Sequence, residues 1–404
     1  MTSTHSNRRR LIIGAGIAIA LTAAPAAAAL TSATPNEAPA PVAGALIEDS
    51  YIVVLDDSDV ARAEVRSAAS GLVQKYGGEV RQSYTSAVRG FSASMSPSQA
   101  KQLEADPAVA YVEQNRVVTA SDTQSPVPSW GLDRIDQAEL PLDDSYTYES
   151  SGSGVTAYIV DTGILTSHED FGGRAVSGTD TVDGDDDATD CAGHGTHVAG
   201  TVGGSAYGVA KDVSLVAVRV LDCNGSGSFD GVIAGIDWVT ADHQAGEPAV
   251  ANMSLGGGFS QAVNDAVSAA VADGVTFALA AGNDYAADAC DGSPSSTPEA
   301  ITVGATEDSD ARSVYSNIGT CVDIFAPGTD ITSAWHTGDT DTSTISGTSM
   351  ATPHVAGAAA LVLSSDPGAT PAEVGDTLTG AAVPDVVSDP GAGSPNLLLN
   401  VSGL

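Results

Sequence analysis

Short, almost wholly apolar runs recur through most of this chain, and between them apolar residues return at helical spacing. The runs span 155–160, 214–218, 250–254, 275–280 and 301–303. Helical patterns cover 194–203, 229–243, 262–272 and 348–365. Strands that do not alternate with polar residues are buried on both faces, and intervening helices supply the cover. The pattern therefore predicts an α/β domain over 120–404, with a central, mainly parallel sheet flanked by helices in three layers. In such sheets functional groups gather beyond the C-terminal ends of the strands.

A smaller α+β pattern precedes it over 50–119. Segments 50–55, 88–93 and 109–113 read as strands, 60–76 as an amphipathic helix, and 98–105 as a second helix capped by Ser96 or Ser98. Residues 30–49, with Thr34-Pro-Asn-Glu-Ala-Pro-Ala-Pro41, read as a linker. Residues 1–29 join Arg8-Arg9-Arg10 to an apolar core from Leu11 to Leu21 and small residues from Ala23 to Ala29. That is the pattern of a secretory signal peptide, its core too short to span a bilayer. Arg8-Arg9 also fits twin-arginine export, with an ordinary basic leader preferred. The chain is expected to be secreted and extracellular, with no membrane anchor after signal removal.

Charge narrows the partners. The chain has 51 acidic and 15 basic residues, a net −36, and 40 of the acidic against only 5 of the basic lie in 120–404. Such a surface repels nucleic acid and anionic membranes and favours solubility, and a monomer is expected. Four cysteines, Cys191, Cys223, Cys290 and Cys321, form an even set in an exported chain, which points to disulfides with three pairings open.

Three motif islands carry the chemistry. Asp161-Thr-Gly163 ends an apolar run, where a carboxylate can orient an imidazole. Gly193-His194-Gly195-Thr196-His197 starts a helix and offers His194 as a general base. His197, one turn on, reads as structural in preference to metal-binding, because no Glu stands beside His194 as in His-Glu-x-x-His. Gly347-Thr-Ser349-Met-Ala-Thr-Pro-His354 places a hydroxyl at the positive end of a helix rich in small residues. Asn283, in Ala280-Ala281-Gly282-Asn283, also follows a strand and can supply an amide to an oxyanion together with the Ser349 N–H.

With these residues in the order Asp, His, Ser, the chain resembles the subtilisin-like serine proteases. Within them it is most similar to the aqualysin-like members of the proteinase K branch. Trp130-Gly-Leu-Asp-Arg-Ile-Asp-Gln137, Val218-Arg-Val-Leu-Asp-Cys-Asn-Gly-Ser-Gly227 and Asp323-Ile-Phe-Ala-Pro-Gly-Thr-Asp330 carry the resemblance over 120–404. It implies a subtilisin-like fold and a serine endopeptidase acting on proteins and peptides. Residues 50–119 resemble the family's inhibitory prodomain, which implies a folding chaperone and inhibitor removed by self-cleavage between Val117 and Asp122. Ser254, Leu255 and Gly256 are implied to pair with the substrate backbone, and Gly225, Ser226 and Gly227 to form the opposite rim. Ala280, Ala281 and Gly282 are implied to line the primary pocket; these segments carry no charge, so apolar or aromatic side chains are expected there. The resemblance further implies the pairs Cys191–Cys223 and Cys290–Cys321. Calcium is implied in a structural role, at Asp323 with the carbonyls of Pro298 and Ala300, and at Asp133, Asp136, Gln137 and Asp143. The carboxylates of Asp183, Asp185, Asp186, Asp187 and Asp190 offer a third ion site or a solvated acidic loop. A peptide ligase on the same residues, or an inactive binding homologue, are the rival functions.

Overall fold

The computed structural model describes residues 46–56, 60–116 and 122–404. The expected signal peptide, most of the linker and most of the expected cleavage segment lie outside the described residues.

The smaller domain is built from β1 (Leu46–Leu55), α1 (Val65–Tyr76), β2 (Glu79–Tyr84), β3 (Gly90–Ser94), α2 (Pro97–Glu104) and β4 (Val109–Arg116). Its antiparallel sheet runs β2-β3-β1-β4. The helices close one face over Val53, Leu55, Phe91 and Leu103. Ser96 is the cap of α2, in a capping box with Gln99. The linker ends earlier than expected: β1 begins at Leu46, paired with Arg116 through its backbone, so its first residues need no apolar side chains. β2 was not foreseen, because Glu-Val-Arg-Gln-Ser-Tyr is polar and half-exposed.

The larger domain opens with β5 (Asp122–Gln124), α3 (Trp130–Ile135), β6 (Tyr146–Tyr148), β7 (Thr156–Asp161), β8 (Ala175–Asp180), α4 (His194–Gly203) and β9 (Ser214–Arg219). It continues through α5 (Phe229–Asp242), β10 (Ala249–Met253), β11 (Gly257–Gly258), α6 (Gln261–Asp273), β12 (Thr276–Ala280), β13 (Gly292–Ser293) and β14 (Ile301–Thr306). It ends with β15 (Ile324–Pro327), β16 (Ile331–Ala334), β17 (Thr342–Ile345), α7 (Thr348–Ser365), α8 (Pro371–Ala381), β18 (Val383–Pro384) and β19 (Leu397–Leu398). The main sheet has the order β18-β19-β15-β14-β12-β10-β7-β9-β8, parallel except for the β18–β19 pair.

Strand periodicity sorts the core into two layers. Ala157 and Ile159 of β7 join Val250 and Ala278 on the face covered by α4, α7 and α8. Tyr158 and Val160, their neighbours, point to the opposite face with Ala251, Phe277 and Leu279 under α5 and α6. Helix α7 is buried almost all round, which its many alanines and glycine permit by keeping the helix thin.

One buried ion pair ties the start of this domain to its far side. Arg134 is fully buried; its Nε and Nη2 donate to the two carboxylate oxygens of Asp310 at 2.6 and 3.0 Å, and Nη1 donates to the Gln137 carbonyl at 2.7 Å. Removing one partner leaves the other charge buried and alone. Arg134→Ala is expected to destabilise the protein by about 3–5 kcal/mol, read as a fall in the denaturant midpoint in a Ser349→Ala background that prevents autolysis.

Candidate active site

The Asp161 and His194 islands meet because their backbones have no side chains in the way. A Cβ on Gly195 would run into the Gly163 carbonyl, and one on Gly163 into the Ala188 carbonyl. Gly163 also has φ +104°, which glycine adopts without strain. Asp161, at the C-terminal end of β7, is fully buried, and both its oxygens face His194 Nδ1, at 2.8 and 2.9 Å. The Nδ1 proton therefore sits on the carboxylate side, leaving Nε2 free of that contact. Burial works against a charged imidazole, but the charge and hydrogen bond of Asp161 outweigh it and raise the His194 pKa above the ordinary 6.5.

Behind this pair stands Asp190. One of its oxygens accepts from Thr162 Oγ1 at 2.8 Å and from the amides of Ala192 and Gly193 at 2.9 Å. The other accepts from Thr196 N at 2.9 Å and Thr196 Oγ1 at 2.6 Å. Thr162 Oγ1 in turn accepts from Gly195 N at 2.9 Å. Asp190 is thus the fastening of the His194 loop, and its oxygens are occupied by the chain's own donors. That corrects its inclusion in an ion-binding group; Asp183, its companion, is paired with Arg219. His197 stays neutral: burial lowers its pKa to about 4, and its Nε2 meets the Ile331 carbonyl at 3.0 Å.

Ser349 lies in the first turn of α7. Its hydroxyl donates to the Ser254 carbonyl at 3.0 Å. Asn283 is oriented through its carbonyl oxygen, which accepts from Thr348 N at 2.8 Å and Thr348 Oγ1 at 3.0 Å, so its Nδ2 donor is turned away from that contact. A Cβ at Gly347 would lie 3.6 Å from Ser349 N and 3.7 Å from Asn283 Nδ2. Both donors thus lie beside this glycine, as does Asn283 Oδ1 at 3.8 Å. Thr348, which sequence reasoning passed over as a neighbour of the serine, is what aims the asparagine.

Two cavities share Leu255 and Gly256 as a common wall. One holds His194, Gly225, Ser226, Gly227, Ser254 and the ring of Phe229. The other holds Ser349, Asn283 and the Ala280, Ala281, Gly282 segment. This second cavity is not free of charge: Asp284, Asp288 and Asp291 also line it. The expectation of an uncharged pocket rested on the quoted segments alone, and the aspartates arrive from the loop that follows them.

Cys191 is bonded to Cys223 and Cys290 to Cys321. Among the described residues no three His, Cys, Asp or Glu side chains are gathered closely enough to hold a metal ion by themselves. In two places half-buried carboxylates stand out. Burial pushes Asp323 up to about 6 despite a 2.8 Å hydrogen bond from Thr302 N, and Pro298 and Ala300 line the same cavity. Burial, with the nearby charges of Asp143 and Asp133, pushes Asp136 up to about 6 as well. Gln137 Nε2 donates to the Pro141 carbonyl at 3.1 Å, which leaves its oxygen to face elsewhere.

Comparison with known proteins is decisive about kinship. The subtilase family profile matches residues 152–398, and that of peptidase inhibitor I9 matches residues 50–121. An extracellular serine proteinase of Thermus sp. (strain Rt41A) is 54% identical over 323 residues, covering 80% of this chain and 78% of that protein. Alkaline serine exoprotease A of Vibrio alginolyticus is 49% identical over 365 residues, covering 87% and 67%. The crystal structure of a cold adapted subtilisin-like serine proteinase is 56% identical with a TM-score of 0.66, covering 69% of this chain and 99% of that one.

The Asp190 fastening has a measurable consequence. Asp190→Ala strands several buried N–H and O–H donors at once, each costing about 1–3 kcal/mol. The expected loss exceeds that of a single surface hydrogen bond several-fold in a denaturation experiment, whereas Asp187→Ala, on the exposed loop, is expected to leave the midpoint within about 0.5 kcal/mol of the parent.

Proposed function

The chain belongs to the subtilase family of serine proteases, and from that premise we propose that Asp161, His194 and Ser349 form its catalytic triad. Ser349 Oγ attacks the scissile carbonyl while His194 Nε2 takes its proton. The amine leaves with that proton and an acyl-enzyme remains on Ser349. Water, deprotonated by His194, then releases the acid and restores the serine. Asp161 keeps the imidazole in the required tautomer and stabilises its charged form. Asn283 Nδ2 and Ser349 N–H receive the oxyanion. The observation that carries this reading is the buried Asp161 carboxylate on His194 Nδ1, in a cavity that shares the Leu255–Gly256 wall with the one holding Ser349 and Asn283. At rest the Ser349 hydroxyl donates to the Ser254 carbonyl, a bond it gives up when it attacks.

Substrate is held as an added strand along Ser254, Leu255 and Gly256, opposite the rim at Gly225, Ser226 and Gly227. The apolar walls at Ala280, Ala281 and Leu255 favour apolar or aromatic side chains at P1. The three aspartates of that cavity oppose acidic ones. All five basic residues of 120–404 are held elsewhere, Arg134 by Asp310, Arg174 and Lys211 mainly by carbonyls, Arg219 by Asp180 and Asp183, and Arg312 by Asp389 and carbonyls. None of them neutralises the cavity.

The I9 domain acts as chaperone and inhibitor and is removed by the protease itself, after export of the chain to the extracellular medium, where a monomer with two disulfides suffices. Calcium is its structural cofactor. Asp323 with the Pro298 and Ala300 carbonyls, and Asp133, Asp136, Asp143 and Gln137, would hold the ions, which would supply positive charge to these carboxylates.

Expression of residues 30–404 as wild type and as Ser349→Ala, in calcium, tests the core of this proposal. Only the wild type is expected to lose its N-terminal domain and digest casein; a Ser349→Ala protein that matures and digests casein refutes it. Asn283→Ala is expected to lower kcat by about 10²–10³, the size of loss known for the corresponding donor in subtilisin. Activity is expected to fall as pH drops through a His194 pKa above 6.5, and the kcat/KM–pH profile reads that limb. Peptides with Glu at P1 are expected to turn over at least about tenfold more slowly than those with Gln at low salt, the gap closing in about 1 M salt. EDTA is expected to lower the thermal midpoint, and an unchanged midpoint removes calcium from the account.

A further inference from the structure

We propose that Ser254, beyond lining the substrate strand, is a positioning residue of the nucleophile: its hydroxyl replaces the helical hydrogen bond that Pro353 denies to the Ser349 carbonyl. The inference rests on Ser349 being the nucleophile.

The reason lies in four residues of sequence. In an α-helix the carbonyl of residue i accepts from the N–H of residue i+4. For Ser349 that residue is Pro353, which lies inside α7 and has no N–H. The orphaned Ser349 carbonyl accepts instead from Ser254 Oγ at 2.8 Å. Ser254 is almost fully buried. Its hydroxyl is itself aimed by Asn252 Nδ2, which donates to Ser254 Oγ at 2.9 Å from inside β10. The Ser349 hydroxyl donates back to the Ser254 carbonyl at 3.0 Å. Two residues 95 positions apart are thus joined by reciprocal hydrogen bonds, one through each hydroxyl.

The consequence is mechanical. The Ser349 peptide, which carries both the nucleophile and one oxyanion donor, is fixed to the end of a buried strand as well as to its own helix. The strand is the one implied to take up the substrate, so nucleophile and substrate register are set by the same segment. Loss of the Ser254 hydroxyl frees the Ser349 peptide to tilt. That weakens attack and oxyanion binding while leaving the Ser254, Leu255 and Gly256 backbone in place for substrate.

The test compares mature wild type, Ser254→Ala, Ser254→Thr and the double variant Ser254→Ala/Pro353→Ala. Each is assayed for peptide hydrolysis and for its labelling rate by a small sulfonyl fluoride that has no peptide part, with mass spectrometry locating the label. Ser254→Ala is expected to lower kcat and the labelling rate about tenfold, with KM within about twofold, as the loss of one buried hydrogen bond implies. Ser254→Thr keeps the hydroxyl and is expected to stay within about threefold of wild type. The double variant restores an N–H at position 353 and is expected to recover most of the labelling rate; it also serves if Ser254→Ala alone does not fold. Unchanged labelling in Ser254→Ala, a loss confined to KM, or no recovery in the double variant overturns the proposal. Label on a residue other than Ser349 overturns instead the nucleophile assignment beneath it.

Discussion

The middle strands of the large sheet are buried on both faces, and this constraint organises everything else in the domain. Along β7, β10 and β12 there is little room for groups that need water, so the chain's working polar side chains emerge where the strands stop. Asp161 ends β7, Ser254 follows β10, and Asn283 follows β12. These strands are neighbours in the sheet, with β10 between the other two. Three positions far apart in sequence therefore fall along one edge without any segment reaching across the molecule. Asn252 is a polar side chain within buried β10, and its amide is directed along the strand to Ser254 at that same edge.

Charge follows a second logic. With five cations against forty carboxylates in 120–404, neutralisation is reserved for places where the fold would otherwise fail. Arg134 meets Asp310 in the interior, Arg219 meets Asp180 beside the Cys191–Cys223 disulfide, and Lys211 closes on Gln124 of the N-terminal strand and on two carbonyls. Burial lowers Lys211 to about 8, yet its three acceptors and the faces of Tyr146 and Tyr148 hold it in place. Carboxylates also line the cleft, at Asp284, Asp288 and Asp291. The proposed selectivity against acidic substrates would then need no dedicated residue.

Much of this was legible in the sequence. The five apolar runs became β7, β9, β10, β12 and β14, and all four helical patterns became helices, because burial on two faces leaves a strong signal in composition. The edges were less so. β8 is polar and exposed on one side, β15 is four residues long and ends in proline, and β19 has two residues; each is a strand because a neighbour offers hydrogen bonds, which no local pattern records. Helix α8 did carry a local signal, the Thr370–Glu373 capping box with Pro371, that went unread. The motif residues were visible by type, but their supporting partners were not. Asp190 looked like one carboxylate among several until its five donors were in view.

Those supporting partners share a feature that explains both their importance and their obscurity: they act mostly on backbone. Asp190 holds the amides of the His194 loop, Thr348 offers its own amide to Asn283, and Ser254 takes the Ser349 carbonyl. A backbone group has the same chemistry at every residue, so a sequence does not announce which one is being held. In the proposed mechanism one oxyanion donor is the Ser349 backbone N–H, so the position of that backbone matters. The alanines of helix α7 let it pass through the core without strain, its proline leaves one carbonyl free, and the strand beside it claims that carbonyl. The Ser349 hydroxyl is thereby mounted on a residue whose carbonyl is held by the neighbouring strand end.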